Sequence, residues 1–385
     1  MAAATPAPPV FGKPFGWNGC TLAVDTSFEG APTGSGSISA EGGTLSLLVP
    51  VSGHHLWDVG QPNLYDARVT LRQGDTVLDS LQCYFGLRSV RLDGMRFLLN
   101  GRPVFQRLIL DQGFYPEGVY TAPTDEALKR DIQLSMAMGF QGARLHQKVF
   151  EARFLYHADH LGYLCWGEMG NWGLDHSRDG ALAAFLKDWL PALERDISAP
   201  SIIGWCPFNE TWDVHDRRQR DDVLRMVYRI TKALDPTRPC IDTSGNYHVE
   251  TDIYDVHDYE QNAAFFRARY GTGSKPIYDA FSPDRQHYEG QPVFVSEYGG
   301  IGWGINENDS WSYGEQADGV ESFLQRFEAL TRVLMENPDH MGLCYTQLTD
   351  VEQEKNGLYT YDRQAKLPAA SLAAILHRKA ACEEE

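Results

Sequence analysis

From about Met95 onward, the chain alternates short apolar runs with helical patterns, and this alternation constrains the fold more than any other feature. Such alternation is typical of βα units that build a parallel sheet. The predicted strands are Val104–Leu110, Gly142–Leu145, Tyr163–Trp166, Ile202–Pro207, Pro239–Asp242, Ile253–His257, Val293–Ser296 and Gly342–Thr346. Eight strands over roughly 280 residues match a (β/α)8 TIM barrel. An open doubly wound sheet is the structural alternative, but no G-x-G-x-x-G motif follows any predicted strand.

Helices are predicted between these strands from their terminal signals. The first begins after Thr124, an N-cap residue followed by Asp125 and Glu126, and it runs to Met138, where Gly139 stops it. The others span Phe150–His160, Gly180–Arg195, Asp221–Leu234 and Gln316–Glu336.

The residues before the barrel have a β pattern from about position 20 to 92. Thr44–Val51, Ala67–Arg72 and Thr76–Phe85 are predicted strands separated by Gly, Ser and Asp turns. The first 40 residues are rich in Gly, Ser and Pro, which favours few strands there. We therefore expect an α/β protein: a small, incomplete immunoglobulin-like all-β sandwich over residues 1–92 and a TIM barrel over residues 93–385.

Charge and composition narrow the possible partners. The chain has 34 basic and 52 acidic residues and a formal net charge of −18, which disfavours nucleic acid and anionic membranes. Aromatic residues make up 12% of the chain, which fits either a large aromatic core or an aromatic-lined sugar cleft.

The cysteines and the N-terminus bear on the compartment. Seven cysteines are scattered without C-x-x-C spacing, several within apolar runs, so buried free thiols are expected rather than a zinc site or disulfides. Met1–Pro9 has no signal-peptide pattern, and no apolar run approaches the ~18 residues of a membrane span. We therefore expect a soluble, cytoplasmic protein.

Polar and ionisable residues follow six of the predicted strands, where a TIM barrel carries its catalytic groups. Glu210 and Glu297 stand out, because each follows an apolar run. Glycosidic bond cleavage needs two carboxyl groups, one protonated to release the leaving oxygen and one ionised to attack the anomeric carbon. If both project into one barrel mouth at roughly 5 Å, the enzyme retains the anomeric configuration.

Several motifs together resemble glycoside hydrolase family 2, which groups β-galactosidases, β-glucuronidases and β-mannosidases. They extend over residues 56–368: Leu56-Trp57-Asp58, Phe97-Leu98-Leu99-Asn100-Gly101-Arg102-Pro103, Met138-Gly139-Phe140-Gln141-Gly142-Ala143-Arg144, Pro200-Ser201-Ile202-Ile203-Gly204-Trp205 with Asn209-Glu210, Leu234-Asp235-Pro236-Thr237-Arg238-Pro239, and Ser296-Glu297-Tyr298-Gly299.

The resemblance implies roles for five residues. Glu210 would be the general acid/base, and Glu297 the nucleophile. Asn209 would bind the sugar 2-hydroxyl, Arg144 would keep Glu297 ionised, and Tyr259 would donate a hydrogen bond to Glu297. For Glu210 to start protonated, we expect apolar packing to raise its pKa.

Other residues near strand ends are candidate substrate-binding groups, although each could instead be structural. They are His146, His257, Trp303, Asp111, Trp166 and Gln347.

The chain also departs from the family pattern. The family's usual N-terminal jelly roll has no counterpart in the roughly 92 residues before the barrel. Glu354-Lys355-Asn356-Gly357 stands where the β-glucuronidase branch has an Asn-x-Lys sugar-carboxylate clamp, which argues against a uronic acid substrate unless Lys355 takes the place of the clamp lysine. The magnesium-binding pair of some β-galactosidases is missing after Glu168, so neither a metal nor a cofactor is predicted.

These features predict a retaining exo-β-glycosidase acting on a carbohydrate substrate, with β-galactosidase as the first reading. An arabinosidase or β-glucuronidase using the same glutamates is the second, and a non-catalytic carbohydrate-binding barrel is the third. These features are compatible with a homo-oligomer.

Overall fold

An antiparallel sheet opens the computed structural model, which describes residues 19–40, 42, 44–274, 284–304 and 310–384. The sheet contains β1 (Cys20–Phe28), β2 (Ala31–Ala40), β3 (Tyr65–Gln73) and β4 (Thr76–Phe85), in the spatial order β2-β1-β3-β4. The segment Met1–Pro9, on which the leader prediction depends, lies outside the described residues.

The first two strands correct the expectation that the first 40 residues form few strands, and Thr44–Val51 forms none. Glu29 and Gly30 both have positive φ, which suits the tight turn between β1 and β2. Gly34 lies so close to the following segment that a Cβ there would be 2.3 Å from the carbonyl oxygen of Pro50. The glycines of β2, which make it difficult to recognise as a strand from the sequence, therefore allow the non-strand segment around Pro50 to pack on it.

A short three-stranded antiparallel sheet leads into the barrel. It contains β5 (Val90–Asp93), β6 (Arg96–Leu99) and β7 (Arg102–Pro103). The indole N–H of Trp57 donates to the carbonyl of Asp159 at 2.8 Å, and Arg88 donates to the carbonyl of Pro200 at 2.9 Å. These contacts fix the all-β region against the barrel near the start of its fourth strand.

The remaining strands form the predicted (β/α)8 barrel. Within the described ranges they are β8 (Gln106–Asp111), β9 (Gly142–Leu145), β10 (Leu164–Glu168), β11 (Ile202–Cys206) continued by β12 (Phe208–Asn209), β13 (Thr243–Ser244), β14 (Tyr254–Asp258), β15 (Val293–Gly299) and β16 (His340–Thr346). Their ladders are parallel, and β8 pairs with both β9 and β16, so the first and last barrel strands meet.

The fifth barrel strand extends further along the chain than the predicted Pro239–Asp242. Pro207 has no N–H group and divides the fourth strand, so pairing with the fifth resumes between Asn209 and Ser244. Before the break, Trp205 donates to the carbonyl of Pro239 at 3.0 Å and accepts from the N–H of Ile241 at 2.9 Å, so the predicted segment also pairs with the fourth strand. The carboxyl end of the fifth strand is therefore Ser244.

Helices cover the outside of the barrel. In the described chain they are α1 (Asp125–Ala137), α2 (Ala152–Leu161), α3 (Ala181–Asp196), α4 (Asp221–Leu234), α5 (Ala263–Tyr270), α6 (Val320–Glu336) and α7 (Ala369–Leu376). Thr124 accepts a hydrogen bond from the N–H of Ala127, which confirms its predicted N-cap role. The predicted start of α6 at Gln316 is four residues early, because Ala317 instead bonds to the carbonyl of Gly302.

Large apolar side chains fill the interior of the barrel. Trp166, Leu108, Leu164 and Phe294 are fully buried in one cluster, and the Trp166 indole donates to Gln106 at 2.9 Å. All seven cysteines are free, and all but Cys83 are buried. None of the helices in the described ranges combines the length and the apolar character needed to cross a membrane.

Candidate active site

The two predicted catalytic glutamates lie at the same end of the barrel. Glu297 is a buried residue of β15, and Glu210 directly follows β12. One oxygen of each carboxylate and one nitrogen of His257 lie within 4.8 Å of one another. Glu210 has a φ of 47°, an unfavourable value for a residue with a Cβ. Strain of this kind clusters at functional sites, where the surrounding structure holds it in place.

His257 bridges the two glutamates. Its Nδ1 lies 2.7 Å from Oε1 of Glu210, and its Nε2 lies 3.3 Å from Oε1 of Glu297. Gly245 leaves room for the imidazole, because a Cβ at that position would be 2.4 Å from Nδ1. The imidazole is therefore close to both carboxylates and within hydrogen-bond distance of Glu210.

A buried hydroxyl group and a buried carboxylate indicate which nitrogen of His257 carries the proton. Ser244 Oγ lies 2.9 Å from Nε2 and also donates to Asp255, which receives a second hydrogen bond from Ser296. A carboxylate can only accept, so the Ser244 proton is directed to Asp255 and its oxygen is free to accept from Nε2–H. We assign the Nε2–H tautomer on this basis, which leaves Nδ1 to share a proton with Glu210.

The pKa values of the pair follow from this arrangement. Burial acts to raise the pKa of Glu210, but its hydrogen bond and charge interaction with His257 lower it below the usual value. Burial acts to lower the pKa of His257, but Glu297 and Glu210 raise it above the usual value. The expectation that packing raises the Glu210 pKa is therefore wrong: the proton is held by the His257–Glu210 pair.

Arg144 forms the floor of the site. Its guanidinium donates to Glu168 at 2.6 Å, to Glu297 at 3.1 Å and to Asn209 Oδ1 at 3.0 Å. It also donates to the carbonyl of Ser296 at 2.9 Å. Arg144 is 1% exposed, so three polar side chains are positioned by one buried cation.

Tyr259 lies on the other side of the predicted nucleophile. Its hydroxyl donates to Oε2 of Glu297, and its ring stacks on Tyr313 with a centroid separation of 3.5 Å. With Arg144 and Tyr259 in place, both oxygens of Glu297 accept hydrogen bonds.

Of the other predicted site residues, some lie at or beside the site and others are engaged elsewhere in the barrel. Asn209 and His146 lie at the site; in the described structure, Nδ2 of Asn209 and Nδ1 of His146 are buried without a hydrogen-bond partner. His146 Nδ1 is 3.5 Å from Glu168 and 3.9 Å from Glu297. Gln347 belongs to a neighbouring amide network, in which it donates to Asn356 at 2.8 Å and accepts from Gln112.

Three predicted substrate-binding residues are engaged elsewhere. Trp166 lies in the interior of the barrel, and the Trp303 indole donates to the carbonyl of Lys366 at 3.1 Å. Asp111 is buried and accepts from the N–H of Gly113. Burial and the Asp131 charge raise the pKa of Asp111 to about 7.

Sequence reasoning missed several residues of the site. Glu168 ends a barrel strand, which was a usable signal, and it pairs with Arg144. Ser244 was missed because the predicted fifth strand ended too early. Glu354 hydrogen-bonds to Gln112 at 3.1 Å and to Asn356 at 3.1 Å, and it interacts by charge with Glu297 and His146.

The cluster of Glu210, His257 and Glu297 also has the composition of a metal site. However, the guanidinium of Arg144 already bonds to Glu297 and lies 3.4 Å from His257 Nε2. A fixed cation at this position opposes binding of a second one. The arrangement therefore suits acid–base and nucleophilic chemistry better than metal binding.

Comparisons with known proteins identify a family model and a curated relative. The model of glycosyl hydrolases family 2 matches residues 21–88. A curated protein of Formosa agariphila named "Putative beta-glucuronidase" is 27% identical over 253 residues, which are 64% of this chain and 30% of that protein.

Solved structures share the fold over almost the whole chain. The β-glucuronidase of Ruminococcus gnavus is 19% identical with a TM-score of 0.74, covering 93% of this chain and 64% of that one. The β-D-glucuronidase of Dictyoglomus thermophilum is 19% identical with a TM-score of 0.73, covering 94% and 64%. The chain thus spans under two thirds of these structures and under a third of the curated relative.

Proposed function

We propose that this chain, which belongs to glycosyl hydrolases family 2, hydrolyses terminal β-linked sugars with retention of configuration. One observation carries the proposal: an oxygen of Glu210 and an oxygen of Glu297 lie within 4.8 Å of one another. Retaining glycosidases hold their two carboxyl groups about 5–5.5 Å apart, whereas inverting enzymes leave room for a water between them.

The first half of the reaction uses Glu297 as nucleophile. Its carboxylate attacks the anomeric carbon and forms a glycosyl ester while the bond to the leaving oxygen breaks. Glu210 gives that oxygen the proton it shares with His257. Arg144 and Tyr259 orient Glu297 and favour its ionised form before attack.

The second half reverses the roles. Glu210, now a carboxylate, takes a proton from water, whose oxygen attacks the anomeric carbon and releases Glu297. The proton returns to the His257–Glu210 pair, ready for the next cycle. Asn209 Nδ2, buried without a partner in the described structure, is placed to bind a sugar hydroxyl.

For the sugar, we propose a neutral pyranose, with a β-galactoside first. Glu354 accepts hydrogen bonds from Gln112 and Asn356 and places a carboxyl group near Glu297 and His146. A sugar carboxylate entering this region would meet a like charge. A β-glucuronide is the second candidate, because the curated relative and the solved structures above carry that name.

The test is a panel of 4-nitrophenyl β-glycosides, including the galactoside, glucuronide and arabinoside, assayed with the wild type and Glu297→Ala. We expect turnover of at least one glycoside, abolished in the variant. Added azide should restore turnover in Glu210→Ala and give a β-glycosyl azide, because it attacks the glycosyl ester on Glu297, whereas any azide product of Glu297→Ala should have the inverted α configuration. Absence of turnover of every glycoside would reject the proposal.

A further inference from the structure

Three exposed indoles stand out among the tryptophans that the structure describes. Trp172 is 63% exposed, Trp212 is 53% exposed and Trp311 is 47% exposed. Each contacts the site or its surroundings: Trp172 meets the ring of His146, Trp212 reaches Glu210, and Trp311 meets the ring of Tyr313. Large exposed apolar side chains grouped around a catalytic pocket are typical of a binding surface.

Trp212 has the most informative position of the three. Its indole N–H lies 3.4 Å from Oε2 of Glu210, whereas Oε1 of Glu210 is engaged by His257 at 2.7 Å. Oε2 is therefore the oxygen available to a glycosidic oxygen. The leaving group is bonded to that oxygen, so the side chain beside Oε2 borders the leaving group rather than the cleaved sugar.

The ring of Tyr247 packs against the indole of Trp212. The two rings meet edge to face with centroids 5.9 Å apart, and the guanidinium of Arg285 lies 3.8 Å from the Tyr247 ring centroid. Arg285 is in turn paired with Asp213 at 3.0 Å. The surface beside Glu210 is therefore fixed by packing and by charge.

Asn246, in the chain segment that contains Gly245 and Tyr247, adds a buried polar group. It is 6% exposed, and in the described structure neither its amide nitrogen nor its amide oxygen has a hydrogen-bond partner. Its chain neighbours are Gly245, against His257, and Tyr247, against Trp212. An unsatisfied buried amide costs roughly 1–3 kcal/mol, which a ligand with both donors and acceptors can recover.

We propose that Trp212, Tyr247 and Asn246 form a leaving-group subsite that binds a second pyranose. An indole face packs on the C–H face of a sugar ring, and hydroxyl groups both donate to and accept from an amide. An aryl or alkyl leaving group would use the indole and leave Asn246 unsatisfied. The substrate is therefore the non-reducing end of a saccharide. This inference rests on the proposed retaining activity.

Transfer from the glycosyl enzyme tests the subsite separately from the acid step. The enzyme is supplied with β-galactosyl fluoride, or with β-glucuronyl fluoride if that sugar is the one turned over, and with methyl β-D-glucopyranoside as acceptor. The ratio of transfer product to free sugar is measured. Glu210 acts as base toward water and acceptor alike, so its own perturbation largely cancels in the ratio.

We expect the transfer ratio to fall about tenfold in Trp212→Ala and in Asn246→Ala. Trp212→Phe, which keeps a ring, should retain most of it. Phe265→Ala removes an aromatic side chain of α5 that is 62% exposed, and should leave the ratio unchanged.

Three results would overturn the subsite. The first is an unchanged ratio in Trp212→Ala, and the second is no transfer to the glucoside by the wild type. The third is better transfer to benzyl alcohol than to the glucoside, which would identify an aryl group as the occupant. Failure of the wild type to release fluoride would instead reject the retaining activity itself.

Discussion

Nδ1 of His257 lies 2.7 Å from Oε1 of Glu210, so the proposed acid/base carboxyl group shares its proton with a buried imidazole. Ser244 and Asp255 hold the other nitrogen of the ring. The pair can supply a proton although the pKa of Glu210 alone is lowered. Four predictions follow from this network and its surroundings.

His257→Gln should shift the alkaline limb of the kcat/KM–pH profile toward lower pH. In the wild type the proton is lost as pH rises through the pKa of His257, which lies above its usual 6.5. Without the imidazole, Glu210 must hold the proton alone, and carboxyl groups ordinarily titrate below histidine. The measurement is a pH profile with one aryl glycoside, and an alkaline limb that does not move would contradict the shared proton.

Arg144→Lys should reduce kcat by about 10²-fold or more and also lower the free energy of unfolding. An ammonium group cannot reproduce the separate contacts to Glu168, Glu297 and Asn209. Steady-state kinetics and denaturant unfolding measure the two effects. Arg332→Lys, on the exposed face of α6, is the matched control and should change neither.

His248→Gln should destabilise the fold, and the loss should shrink as pH rises. His248 is buried between Asp242 at 2.8 Å and Asp255 at 3.1 Å; burial opposes its charge, but the two carboxylates raise its pKa to about 10. A raised pKa contributes stability that is full below the unfolded value of about 6.5 and is lost through about pH 10. Unfolding of both proteins at pH 6.5, 8 and 9.5 tests this, and a difference that grows with pH would contradict it.

Glu354→Gln should raise the ratio of glucuronide to galactoside kcat/KM by about tenfold. The substitution removes a like charge for a uronic acid and keeps a polar side chain that can bond to Gln112 and Asn356. Parallel assays of the two 4-nitrophenyl glycosides give the ratio. An unchanged or lower ratio would show that Glu354 does not oppose a sugar carboxylate.

The sequence predicted the barrel because its strands are apolar runs with regular spacing, and several boundaries agree closely. Gly142–Leu145 and Asp221–Leu234 match the structure at both ends. The strand prediction failed at β2. Its glycines are needed so that Leu47–Pro50 can pack on the strand, and the same glycines remove the alternating pattern by which a strand is recognised. The prediction also stopped short at the fifth barrel strand, where pairing resumes at Ser244 after the break at Pro207.

The residues of the site likewise divide into those that the sequence could predict and those that it could not. Glu210 and Glu297 could be found from their strand ends and the resemblance. His257 was also a candidate, but its contacts with Ser244, and those of Ser244 with Asp255, could not be predicted, because they depend on which side chains three neighbouring strands direct to one point. Trp166 was misplaced because a residue near a strand end can still point into the barrel core.

Covalent trapping tests whether Glu297 is the nucleophile of a retaining reaction. The wild type is incubated with 2-deoxy-2-fluoro-β-galactosyl fluoride, or with the corresponding glucuronyl compound, and its peptides are mapped by mass spectrometry. We expect a stable 2-fluoroglycosyl ester on Glu297, with loss of activity at the same rate as labelling. An ester on a different residue, or turnover that gives the inverted sugar without any labelling, would contradict it.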